Sequence, residues 1–304
     1  MKRYAALALL TALPAVPIDL HAGAWTLPAG HFWTKLTFLK QATNEEYVSV
    51  GGQGRPPDPT IVYTAGDRAR YRFNGMYDSR ALFFDLTYGV TDRLGFGIQL
   101  PFYQQQFSDD ALLVGFGEPR KATGFGDIRG FLKFRIAERP LVATLKVGTK
   151  VPTGKFVNED GIIPVGEGQW DYDFVLQLGR SFWPIRGYAT ADIGYRLRMK
   201  NADIDRDPGE EFFFLGEVGY SPLDRLLLSL KLDGIRSRPA RILGITSNST
   251  VRRVTYLSPT VGFGPVGKAS IEAALRITLG GQNYPAGQML VIGVSYSGDI
   301  LNRR

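Results

Sequence analysis

The chain has 304 residues, 44% of them hydrophobic, with Gly 36, Tyr 14, Phe 19 and Cys 0, and a formal net charge of +7. The lack of cysteine excludes disulfide staples and thiolate metal sites. Beyond the N-terminus no apolar stretch approaches the roughly 18 to 20 residues of a membrane helix, and the basic residues are interspersed with acids rather than clustered among stacking aromatics, which argues against nucleic acid as a partner.

The N-terminus has the order of a secretory signal: Met1, Lys2 and Arg3 as a basic start, Tyr4 to Val16 as an apolar run, then small residues closing in Ala22, Gly23 and Ala24. Residues 1–24 are expected to be a cleaved leader, cut after Ala22 or after Ala24, since both positions satisfy the small-residue rule. Residues 25–304 are then expected to form one exported domain.

From there the apolar residues recur with period two. In 169–181, Trp170, Tyr172, Phe174, Leu176 and Leu178 fall on one face of a strand while Asp171, Asp173 and Gln177 fall on the other. The pattern recurs in 226–236, where four leucines oppose Ser229, Lys231 and Asp233, and in 268–279, where Leu275 and its apolar neighbours oppose Glu272, Arg276 and Thr278. Taken in chain order, twelve such segments are predicted: 31–41, 78–89, 94–105, 126–136, 141–151, 169–181, 187–198, 211–221, 226–236, 251–263, 268–279 and 288–297.

Runs of ten to twelve residues are longer than ordinary strands and suit a tilted strand crossing a bilayer. A closed barrel is the one sheet that leaves no backbone group facing lipid. Short connectors, such as Val90 to Arg93, Ala137 to Pro140 and Pro222 to Arg225, alternate with long ones near 42–77, 106–125, 152–168, 199–210, 237–250 and 280–287. Outer-membrane barrels pair periplasmic turns with external loops in this way. The fold class expected is therefore all-β, a transmembrane antiparallel up-and-down β-barrel of about twelve strands. The glycine-rich 42–77 connector reads as a flexible external loop, and so few residues precede His31 that no globular plug is expected.

Aromatics gather at both ends of the segments: Tyr88, Phe182, Trp183, Tyr220, Phe263 and Tyr296 beside the turns, and Phe102, Trp170, Tyr172, Phe212 and Phe214 near the loops. Two interfacial girdles would have this form. On the polar parity lie the lumen-lining candidates: Lys35, Asp85, Arg129, Lys133, Arg135, Lys146, Lys150, Asp171, Asp173, Asp192, Arg196, Arg198, Glu217, Lys231, Asp233, Glu272 and Arg276, with Asp127 beside them. Side chains of both signs on such a wall hold it together and screen solutes.

Catalysis is poorly provided for. Of two histidines, His21 lies in the leader, so a histidine-activated nucleophile would depend on His31 alone. Asp171 and Asp173, about 7 Å apart by two strand rises, could bind a cation or work as acid and base; lumen acids matched by lumen bases are the simpler reading. The run from Gly124 to Gly130 lacks the strand-then-helix setting of a phosphate-binding loop and is read as the exit of an external loop. No catalytic, cofactor-binding or metal-binding residue is assigned, and the chain is read as non-enzymatic.

Several short motifs coincide with a known family. The opening Gly23-Ala24-Trp25-Thr26-Leu27-Pro28, Gly124-Phe125-Gly126-Asp127, Lys150-Val151-Pro152-Thr153-Gly154, Gly166-Glu167-Gly168 and Asp192-Ile193-Gly194-Tyr195 resemble, in this order, the outer-membrane proteins labelled MetA pathway of phenol degradation. The resemblance implies a transporter or channel linked to aromatic catabolism. One departure is the C-terminus, where Tyr296 is followed by Ser297 to Arg304 instead of closing the chain on an aromatic residue.

The expected function is passive uptake of small molecules, aromatic or hydrophobic ones among them, through the bacterial outer membrane. The alternative is a structural or adhesion barrel whose lumen is closed by salt bridges. Expected partners are membrane lipid, a small-molecule solute and the outer-membrane assembly machinery. Oligomeric state stays open.

Overall fold

A computed structural model of the chain describes residues 23–110, 120–156 and 164–300. Twelve long strands form one antiparallel sheet: β1 (His31–Thr43), β2 (Met76–Gly89), β3 (Leu94–Ser108), β4 (Ile128–Ala137), β5 (Val142–Val151), β6 (Asp171–Ser181), β7 (Gly187–Arg198), β8 (Glu211–Leu223), β9 (Leu226–Ser237), β10 (Arg253–Val266), β11 (Ala269–Gln282) and β12 (Gln288–Asp299). Each pairs with its neighbours in sequence, and β1 closes on β12 with His31 opposite Asp299 and Gln41 opposite Met289. Every strand therefore has two partners, as a lipid-embedded sheet requires.

Period two decides which way each side chain points. Leu228, Leu230 and Leu232 of β9 are exposed while Ser229, Lys231 and Asp233 between them are buried. The same inversion of the soluble pattern holds on β11, where Leu275 is exposed and Arg276 is 1% exposed. Apolar groups outside and ions inside make the hydrophobic solvent lipid, not a protein core. At the short-turn end Phe182, Trp183, Tyr220, Phe263 and Tyr296 are exposed, and at the other end Phe125, Trp170, Tyr172 and Phe212. These are the positions of two interfacial belts.

The long connectors depart from expectation. The 42–77 segment is not a featureless loop: Glu45–Tyr47 pairs with Arg68–Arg70 on one side and with Tyr284–Pro285 on the other. Buried Tyr47 donates its hydroxyl to Thr278 O at 3.3 Å, fixing this small sheet to β11. Arg206–Asp207, Ala240–Ile242 and Ile245–Ser247 form a second small sheet. Arg120–Phe125, read as part of a loop, is a strand paired with the outer half of β3, which itself continues to Ser108. These pieces are two to six residues long, and above the bilayer no lipid selects apolar residues for the outer face, so the alternation used to find strands fades there.

Inside, the barrel is divided. Leu39, Phe83, Tyr103, Tyr256, Met289 and Val291, from β1 to β3 and β10 to β12, pack as an apolar cluster with Tyr47 and Tyr284 from the loops. The facing wall, β4 to β8, carries most of the buried charge.

Candidate functional site

The lumen has three levels, set by the registers of β4 to β8. Nearest the long loops, Arg129 stands opposite Lys150, Lys150 opposite Asp171 and Asp171 opposite Arg198. Lys150 Nζ lies 3.1 Å from Asp127, 2.5 Å from Glu167 and 3.1 Å from Asp171. Arg198 reaches Glu167 at 2.5 Å and Glu211 at 3.2 Å, and Arg252 reaches Glu211 at 2.6 Å. One step inward, Asp173 accepts from Arg196 at 2.6 Å and pairs with Arg129 at 3.4 Å, while Arg196 also reaches Glu211 at 3.0 Å. Buried charges persist only when paired in this fashion.

Glu167 comes from the connector between β5 and β6, and its inward course is fixed by Asp127. That carboxylate accepts the backbone N–H of Gly154 and of Glu167, each at 3.0 Å. Gly154 and Gly166 touch so closely that a Cβ on Gly166 would lie 2.4 Å from Gly154 O. Burial works to raise the Glu167 carboxyl, but Arg198, Lys150 and Arg252 outweigh it and hold the group well below the usual carboxylate range. Close by, burial together with Arg252 and Arg198 lowers Arg206 to about 10.

The middle level is a cavity of about 80 Å³. Its apolar lining includes Phe131, Val175, Phe213 and Leu215; its polar lining includes Arg129, Lys146, Asp173, Asp192 and Arg196. Two cations lie over rings here, Lys146 at 4.5 Å from the Phe131 centroid and Arg196 at 5.2 Å from that of Phe213. Such contacts turn part of a charged wall into a surface compatible with aromatic groups. Gln177 donates to Asp192 at 2.6 Å.

The third level, toward the short turns, holds the N-terminal segment. Lys133 Nζ donates to Gly23 O and, at 3.0 Å, to Trp25 O, and Thr144 Oγ1 donates to Ala24 O. The Trp25 ring meets Tyr188 edge-on at a centroid distance of 6.3 Å. The short stretch before His31 predicts no globular plug at this end. Instead an extended segment enters it, because one strand-width of chain needs only a few donors and a ring to hold it.

The remaining sequence candidates lie elsewhere around the wall. Lys35 pairs with Glu272 at 2.6 Å, Asp85 accepts from Gln99 at 2.7 Å, and Lys231 lies 3.7 Å from Glu217. Arg276 pairs with Asp233 and stacks 3.8 Å from the Tyr256 centroid. Arg135 pairs with Glu138, at 3.0 Å, near the turn after β4. His31 sits at the end of β1 with Nδ1 3.2 Å from Ala29 O. Glu167, Glu211 and Arg252 were not among the candidates. Glu211 shares the parity of Glu217, and Arg252 that of Tyr256, and both lie within the predicted segments 211–221 and 251–263, so the alternation already pointed to both. Glu167 had no such signal beyond its glycine-flanked motif.

Comparison with known protein families finds no match to the sequence, and no curated protein matches it. Among solved structures, the COG4313 outer membrane channel from Pseudomonas putida F1 is similar, at a TM-score of 0.71 and 17% identity over 90% of this chain and 98% of that one. The monoaromatic hydrocarbon channel CymD follows at 0.45 and 9% identity, covering 91% and 90%, and the Ralstonia pickettii toluene transporter TbuX at 0.42 and 10%, covering 90% of each. The closed barrel with its apolar exterior, and the likeness of its fold to a known channel of that membrane, make this chain a twelve-stranded β-barrel of the bacterial outer membrane.

Proposed function

We propose that the barrel is a passive conduit for small hydrophobic or aromatic molecules, with no catalytic activity of its own. The observation that carries this reading is the mid-lumen cavity, where apolar and aromatic side chains interleave with cations laid over two of the rings. A mainly apolar lining with a few placed polar groups suits a solute that is itself mostly apolar. The similar fold of a protein described as an outer membrane channel supports it, as does the resemblance of the sequence motifs to a family linked to phenol degradation. Delivery to the membrane by the outer-membrane assembly machinery belongs to the same reading.

The test is uptake of a radiolabelled monoaromatic such as toluene by cells with an intact lipopolysaccharide leaflet, with and without the protein. Faster uptake with the protein is expected; equal rates would sink the proposal. A second reading, a structural barrel closed by its own ions, is favoured by the paired charges of the outer level and by the segment at the inner end. It requires equal uptake together with no steady current from the purified protein in planar bilayers.

A further inference from the structure

The N-terminal segment is seated against the lumen wall by Lys133, Thr144, Tyr188 and Thr190. Ala24 is 0% exposed, and Gly23 is buried beside Thr190. A Cβ on Gly23 would lie 2.8 Å from Thr190 Cβ and 3.2 Å from its Oγ1, at a backbone φ of +27°. Thr190 is itself 6% exposed, and its Oγ1 has no hydrogen-bond partner among the described residues. A buried hydroxyl of this kind calls for an explanation. In register across the sheet from Thr190 stands Glu217, also buried and directed inward, which accepts from Tyr188 at 2.6 Å.

We propose that the leader is cut after Ala22 and that the α-ammonium so created at Gly23 is the donor Thr190 lacks, its charge balanced by Glu217. The cut is a hydrolysis by an envelope signal peptidase. Water's hydroxyl joins the Ala22 carbonyl carbon, the C–N bond to Gly23 breaks, and the nitrogen leaves as an amine. The new carboxylic acid loses its proton to solvent, and the amine gains one, since an α-amino group titrates at about 7.7 to 8.0.

The competing cut after Ala24 fits the seat badly. It removes Gly23 O and Ala24 O, and with them two of the three bonds from Lys133 and Thr144, leaving Lys133 its contact with Trp25 O. It also leaves the space against Thr190 unfilled. A residue with a side chain at the new terminus would meet Thr190, whereas glycine clears it. The segment is thus shaped for a chain beginning at Gly23, and a terminal ammonium becomes part of the wall at the short-turn end.

The full chain, leader included, is expressed in a Gram-negative host and the protein purified from outer membranes. Intact mass and N-terminal sequencing are expected to show Gly23 first; a chain beginning at Trp25, or one retaining the leader, overturns the proposal. The seating is tested on the same material with an amine-acylating reagent at neutral pH, followed by mapping of the N-terminal peptide. Acylation of Gly23 is expected to be about tenfold slower in the folded than in the denatured protein, as a charge-assisted bond of ordinary strength implies. Thr190→Val with Glu217→Gln is expected to remove most of that protection while the barrel stays folded on unheated gels. Equal rates in folded and denatured wild-type protein overturn the seating whatever the variants do.

Discussion

Asp127 and Glu167 are 40 residues apart in the chain, yet the Glu167 backbone N–H donates to Asp127 Oδ2 at 3.0 Å. The other oxygen of the carboxylate takes Gly154 N, also at 3.0 Å. Three motifs that look unrelated in the sequence, at 124–127, 150–154 and 166–168, are thereby parts of one joint. Its consequence is that Glu167 is carried into the lumen against Lys150 and Arg198.

Asp127→Ala should release that joint. Two backbone donors lose their acceptor and Lys150 loses one of its three carboxylates, at a cost of about 1 to 3 kcal/mol for each buried group left unpaired. The expected outcome is a lower urea midpoint for the purified barrel and faster tryptic cleavage at Lys155, which is exposed beside the joint. Cleavage at the wild-type rate would mean that the connector is held by something else.

The outer ion network should be resistant to acid. The Glu167 carboxyl is depressed in the folded protein, so its contribution is complete above the usual value of 4.5 and is lost only as pH falls through the depressed one. Single-channel current measured against pH should therefore change at a pH well below 4.5. Glu167→Gln should shift or abolish that step. A step at or above the ordinary glutamate value would contradict the pairing.

Charge on the outer face should block insertion while charge on the inner face does not. Leu232 is exposed to lipid in the middle of β9, and an arginine there costs about 2 to 4 kcal/mol near the midplane. Ser229→Arg points inward and is expected to insert. Heat-modifiable mobility on gels reads both, and equal loss at the two positions would contradict the observed parity.

Because the chain has no cysteine, single cysteines report topology cleanly. Thr246→Cys, in the exposed hairpin between β9 and β10, should react with an impermeant maleimide on intact cells. Asp224→Cys, in the turn between β8 and β9, should react only after the outer membrane is opened. The reverse result would invert the barrel.

Lys146→Glu should shift the reversal potential toward cations under a salt gradient, by more at low salt, since a lumen field is screened over about 8 to 10 Å at physiological ionic strength. Lys146 lines the cavity, whereas Lys133, its register partner, is engaged with Gly23 and Trp25. Lys133→Glu should accordingly also free the N-terminal segment and raise the conductance. An unchanged potential in a conducting Lys146 variant would place the path elsewhere.

Parity, strand number and the alternation of short and long connectors were legible in the sequence because the bilayer imposes them locally. Each residue between Leu226 and Asp233 faces lipid or lumen according to its position alone, so a period-two count places them without knowledge of any partner. The strand at Arg120–Phe125 and the small sheets over the mouth escaped that count because they are two to six residues long and have no lipid on their outer face to select apolar residues.

What the tertiary structure alone decided is which inward residues meet. Lys150, Asp127, Glu167 and Asp171 come from two strands and two connectors, and nothing in their spacing says that one ammonium will lie among three carboxylates. Nor could the residues before His31 announce that they turn into the lumen, since the donors that hold them, Lys133 and Thr144, lie 110 and 120 positions further on. The bilayer dictates the direction of a side chain from its neighbours in sequence; closure of the barrel dictates its partner, because only closure fixes the register between strands distant in the chain.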